Sequence, residues 1–183
     1  MSIQVRFSEV FVSPFRKNTT GLEGFSAEKY YRLSFWCIAL LILFLMPKLS
    51  FDFGVTGDEH WHHDYGNAIY HYYFNGDHSV ADWQRVENSK KFEESGIHYY
   101  GGMFDLWVAI WNKKVGLWGD YEMQHFWISI VGAIGIITTG LLAGEIGGWL
   151  MALLALLIIA FSPSYLGHCF NNPKDIPFAT ASV

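Results

Sequence analysis

The side chains of this sequence best suited to chemistry lie in two short acidic segments. Thr56-Gly57-Asp58-Glu59 sets two neighbouring carboxylates a few residues after an apolar run, and Asn171-Asn172-Pro173-Lys174-Asp175-Ile176-Pro177 sets a cation beside a third carboxylate after another. A carboxylate held at a hydrocarbon boundary is costly to desolvate, which makes it a candidate for function as a general base or a cation ligand. A lysine beside it suits the charge of a phosphate. Each segment also has a plainer explanation. Thr56 and Glu59 have the spacing of a capping box, in which acids of the first helical turn gain a few tenths to about 1 kcal/mol from the macrodipole. The second segment reads equally as a polar connection whose prolines set turns.

Histidines crowd the first segment. Glu59 and His63 are four residues apart, as are His60 and Asp64, while His63, Asn67 and His71 share one helical face. Neither an HExxH motif nor an H-x3-H pair completes a zinc pattern. Interfacial imidazoles and tyrosines that hydrogen-bond and stack account for the cluster without a metal.

The elements that must position these groups are written in the hydropathy. Of 183 residues, 51% are hydrophobic and 18% aromatic, at a mean hydropathy of +0.18, more apolar than a soluble domain of this length requires. The apolar residues cluster at Leu33 to Met46, Phe126 to Ala143 and Trp149 to Phe161. A helix needs roughly 20 such residues to cross the hydrocarbon, so the middle run suffices alone and the others need their flanks. Pro47-Lys48 closes the first. Gly144-Glu145-Ile146-Gly147-Gly148 makes a tight helical hairpin of the other two. Two amphipathic helices are expected between them, one from Thr56 to Phe74, ended by Asn75-Gly76-Asp77, and one over Gly102 to Lys114, too short to span and therefore placed on the membrane surface.

Topology follows from charge. The leader, residues 1–32, holds Arg6, Arg16, Lys17, Lys29 and Arg32, which places it in the cytoplasm by the positive-inside rule. The loop of about 52–125 is then external, and the hairpin of about 126–162 returns the chain outside. On this topology both acidic segments meet one membrane surface. The loop is predominantly acidic, which excludes a nucleic-acid stripe. Cys37 and Cys169 imply no disulfide scaffold. The expected fold is all-α: a polytopic helical membrane protein with three spans, the start of a fourth, and surface helices in a large first external loop. The apolar stretch reopened after Pro177 leads us to expect an N-terminal portion of a longer chain.

The order of these parts resembles the N-terminal portion of GT-C class membrane glycosyltransferases, close to the protein O-mannosyltransferases and the bacterial lipid A aminoarabinose transferases. The resemblance covers about Leu33 to Val183 and is strongest over Gly57 to Tyr65 and Gly148 to Ala179. It implies that residues 33–183 begin a transmembrane glycosyltransferase domain in a bacterial inner membrane. The implied activity is inverting transfer of a sugar from a polyprenyl-phosphate carrier to a hydroxyl of a lipid, protein or glycan acceptor. Asp58 maps onto the family's base, Glu59 onto its neighbour and Asp175 onto the second-loop acid. Lys174, Asn172 and His63 are the expected substrate contacts, and Asp58 and Asp175 the candidate ligands of a divalent cation. The family's basic hairpin turn is absent here, where Glu145 stands instead. A transporter or ion-binding module using the same external acids is the alternative, and a purely structural membrane module a third reading.

Overall fold

The computed structural model describes residues 22–77, 96 and 99–183. Among them every regular element is helical: α1 (Leu22–Leu49), a 3-10 turn (Ser50–Asp52), α2 (Glu59–Phe74), α3 (Met103–Lys114), α4 (Asp120–Ala160), α5 (Pro163–Asn171) and α6 (Asp175–Ala181).

α1 is longer than its apolar run. The sequence separates a polar leader, residues 1–32, from an apolar run that begins at Leu33; the structure makes the helix continuous across that boundary from Leu22. No glycine or proline lies between Phe25 and Met46, and Glu28, Lys29 and Arg32 are good helix formers, so nothing interrupts the backbone. Pro47 sits in the last turn, where its missing N–H weakens the ladder. The chain tightens there, and the Ser50 hydroxyl donates to the Pro47 carbonyl at 2.7 Å.

α4 turns back on itself. Gly148 has φ 79° and ψ −175°, a conformation open to glycine alone. In a straight helix Gly144 and Ala152 would stand roughly 12 Å apart. A Cβ on Gly144 would instead lie 3.0 Å from that of Ala152, and one on Gly140 would lie 3.1 Å from Leu156 Cβ. The expected hairpin therefore turns at Gly148. Its first arm begins at Asp120, six residues before the apolar run, because Asp120 and Glu122 suit a helix N-terminus.

Two helices are long and apolar enough to cross a membrane, α1 with its following turn (Ala27–Asp52) and α4 (Asp120–Ala160). Only 22% and 11% of their most apolar windows are buried, unlike the core helix of a soluble protein. Leu40, Leu41 and Phe44 of α1 and Met151, Leu154 and Ile158 of α4 stand exposed. The third span expected at Trp149 to Phe161 does not reach that length by itself, since the second arm of α4 rises roughly 18 Å against a hydrocarbon core of roughly 30 Å.

The packing fixes which ends meet. Arg32 lies 5.4 Å from the Trp149 ring and Phe35 5.7 Å from it, so the start of α1 adjoins the Gly148 turn. At the other end Phe51 packs on Trp118 and Phe126, and Phe53 stacks on Phe170 at 4.1 Å. The core between these ends comprises Phe35, Ala39, Ile128, Ile136, Leu156 and Phe170 among others. The 3-10 turn, α2 and α3, with the start of α4 and the end of α5, gather at one end of the helical pair.

Candidate functional site

α2 begins later than its capping-box spacing predicts. Asp58, not Thr56, is the residue at the N-cap, and its side chain makes no capping bond. Half of the box survives: Glu59 reaches back so that the Thr56 N–H donates to Oε1 at 3.1 Å. The other half is redirected. Thr56 Oγ1 lies 2.7 Å from Glu59 Oε1 and 3.1 Å from Asp58 Oδ1, so its single hydroxyl hydrogen serves both carboxylates instead of accepting from the helix.

The two neighbouring acids have opposite environments. Asp58 is exposed, whereas Glu59 is 0% exposed. Glu59 Oε2 accepts a 2.7 Å hydrogen bond from His125 Nε2 in the second turn of α4. An ionised carboxylate only accepts, so Nε2 carries the hydrogen. A turn later on the same face, His62 Nδ1 meets Asp105 Oδ2 of α3 at 3.2 Å, with both side chains buried. Burial pushes the Asp105 carboxyl above its ordinary range, and the bond and charge of His62 pull it back. Burial and Asp105 together raise the Tyr65 phenol. α2 thus presents Glu59, His62 and Gly66 inward, and its backbone approaches α3 so closely that a Cβ on Gly66 would fall 2.5 Å from the Asp105 carbonyl oxygen.

His63 lies toward α4 as well. Its Nε2 is 2.9 Å from Asn67 Nδ2 and 3.5 Å from the Asp120 carboxylate, and its ring packs on Tyr121. The i, i+4 pairing expected between Glu59 and His63 gives way to the bond with His125, because Glu59 points into the α2–α4 junction.

The second segment is built as a helix start. Asn172 Oδ1 accepts from the Asp175 N–H at 2.9 Å and from the Lys174 N–H at 3.3 Å, and Asn172 Nδ2 donates to Asp175 Oδ2 at 2.8 Å. These bonds close an Asn-centred turn just ahead of α6, whose N-cap residue Lys174 makes no side-chain capping bond. Asp175 is exposed, and Lys174 Nζ stands 4.6 Å from the Tyr100 ring, which ties the segment to the approach to α3.

Of the residues expected from sequence, Asp58 and Glu59 come together through Thr56, and Asn172, Lys174 and Asp175 through the Asn172 turn. The two groups bond to different partners yet occupy the same end of the fold. Among the described residues no group of three or more His, Cys, Asp or Glu side chains gathers to hold a metal. The sequence reading missed His62, Asp105 and His125. Asp105 is the one acid of the run Gly102 to Lys114, which its length places on the membrane surface, whereas the structure buries it against His62. An ionisable group in apolar surroundings needs a partner when buried, and that was the available signal.

No protein-family model matches the chain, and no curated protein and no solved structure matches it.

Proposed function

We propose that this chain is the N-terminal part of a GT-C class membrane glycosyltransferase, transferring a sugar with inversion from a polyprenyl-phosphate carrier to an acceptor hydroxyl at the external membrane face. The observation that carries the reading is the division of labour at Asp58 and Glu59. One carboxylate is exposed on a turn that the other, buried and triply bonded, holds in place. A general base needs that combination of access and fixed geometry.

In this reading α1 and the two arms of α4, the second extended by α5, form three spans, and α6 opens a fourth. α2 and α3 lie at the outer surface of a bacterial inner membrane. Asp58 takes the proton of the acceptor hydroxyl as its oxygen attacks the anomeric carbon. The bond from that carbon to the phosphate oxygen breaks, and the polyprenyl phosphate leaves with the electron pair on the opposite face. A phosphate needs little protonation to leave, so no acid opposite Asp58 is required. Lys174 offers its charge to that phosphate, while Asp175 and Asn172 hold the segment's backbone. A divalent cation bound together with the donor phosphate would meet Asp58 and Asp175, and no step depends on it.

The reading is tested in the full-length protein by release of polyprenyl phosphate from polyprenyl-phosphate mannose and from polyprenyl-phosphate aminoarabinose. Asp58→Asn is expected to abolish release with unchanged membrane insertion; near-normal turnover removes Asp58 from the mechanism. The burial of Glu59 with His125 at the mouth of α4 favours a second reading, an ion- or proton-handling module. That reading predicts ion flux into proteoliposomes without any sugar donor.

A further inference from the structure

We propose that His125 is the positioning residue for Asp58, acting through Glu59 and Thr56; the assignment rests on the transferase reading above. Glu59 has no face left for a substrate. Its Oε2 is held by His125 Nε2 at 2.7 Å, its Oε1 by the Thr56 N–H at 3.1 Å and the Thr56 hydroxyl at 2.7 Å, and no part of it is exposed. A buried carboxylate is tolerable only where donors meet it, so the place of Glu59 is dictated by where His125 stands.

His125 is a fixed point. It is 1% exposed, and the residues beside it anchor α4 to the rest of the fold: Phe126 against Phe51 and Trp118, Trp127 against Trp107 and Trp111. The fixed point is transmitted outward. Glu59 holds Thr56 by two bonds, and Thr56 Oγ1 lies 3.1 Å from Asp58 Oδ1, which leaves Oδ2 as the oxygen directed to an acceptor. Apart from the backbone bonds from the Glu59 N–H to the Thr56 carbonyl at 3.3 Å and from the Trp61 N–H to the Asp58 carbonyl at 3.1 Å, the turn is open: a Cβ on Gly57 would meet nothing within 4 Å and Asp58 makes no capping bond. A carboxylate on such a turn would wander without the buried pair. Glu59 therefore acts as a positioning residue too.

The test uses the full-length protein in membranes, with Cys37→Ser, Cys169→Ala and Gly57→Cys as the reporter background. The first readout is the labelling rate of the cysteine at position 57 by an impermeant maleimide, which needs no turnover. His125→Ala is expected to label several-fold faster, and His125→Gln, which returns an N–H donor near the place of Nε2, to label at the parent rate. The second readout, without the reporter, is release of polyprenyl phosphate from polyprenyl-phosphate mannose. There His125→Ala is expected to lower kcat about 10²-fold, the cost of a misplacement of about 1 Å, at little changed KM, with His125→Gln recovering most of it. Thr56→Val keeps the His125–Glu59 bond but removes one donor from Glu59 Oε1; it should lower kcat at little changed KM. Parent-rate labelling in His125→Ala overturns the proposal, as does a His125→Gln variant no better than alanine. If labelling follows the expected pattern while the parent protein releases no polyprenyl phosphate from either donor, the turn is pinned as described and the transferase reading is what fails; if Asp58→Asn still turns over, Asp58 is not the base and the positioning role of His125 falls with it.

Discussion

Replacing Gly66 by alanine places a methyl group where the structure has backbone. The new Cβ would lie 2.5 Å from the Asp105 carbonyl oxygen and 2.9 Å from its carbon, neither of which can swing aside as a side-chain tip would. An ordinary carbon–oxygen contact is roughly 3.3–3.6 Å, so α2 and α3 must part by about 0.8–1.1 Å. A gap of that size forfeits a quarter to a half of the dispersion attraction across the contact. It also stretches the 3.2 Å His62–Asp105 bond beyond hydrogen-bonding range between two buried groups. Overpacking costs about 1–3 kcal/mol and the broken buried bond about 1–3 kcal/mol more, against about 1 kcal/mol gained from the helix propensity of alanine. The net loss is then at least about 1 kcal/mol, or roughly 2–4 °C of Tm for each kcal/mol in a chain of this length. Thermal unfolding of the detergent-solubilised protein measures it, with Gly54→Ala as the control, because a Cβ there meets nothing within 4 Å. A Gly66→Ala protein as stable as the parent, or more so, would refute the close α2–α3 approach.

Gly148→Ala forces a side chain into the φ 79°, ψ −175° turn of the hairpin and should cost about 1–3 kcal/mol by the same unfolding assay. Asp105 yields a pH prediction. Its carboxyl is raised above the ordinary 3.8 by burial, so its contribution is full below that value and is lost as pH rises through the raised folded value. The neutral Asp105→Asn lacks this loss and should gain on the wild type in thermal midpoint as pH rises above 3.8; a difference independent of pH would count against it. Cys169, fully buried and packed against Gly132, should resist maleimide in the folded protein and react after denaturation.

Local signals carried the architecture well. The amphipathic run Gly102 to Lys114 becomes α3 at Met103–Lys114, Asn75-Gly76-Asp77 follows the end of α2 at Phe74, and the glycine-rich segment turns the hairpin at Gly148. What failed depended on partners distant in the chain. Thr56 has the spacing of an N-cap, but the His125 bond draws Glu59 inward and the helix opens at Asp58 instead. His125 is 66 residues from Glu59, and Asp105 is 43 from His62, separations that no periodicity encodes. The second segment went the other way. Its plain reading as a turn-setting connection is realised in the bonded Asn172–Asp175 turn, and the short helix α5 before it carries no signal of its own in the sequence expectations.

The central claim is that the Asp58 and Asp175 carboxylates serve one site, and the sidedness of the two segments tests it most directly. Single cysteines beside Asp58 and beside Asp175, with Cys37 and Cys169 replaced, are exposed to an impermeant maleimide on intact cells. Our account predicts that both label from outside. Labelling from opposite faces would make the stretch around Trp107 a span, separate the two carboxylates, and contradict the account.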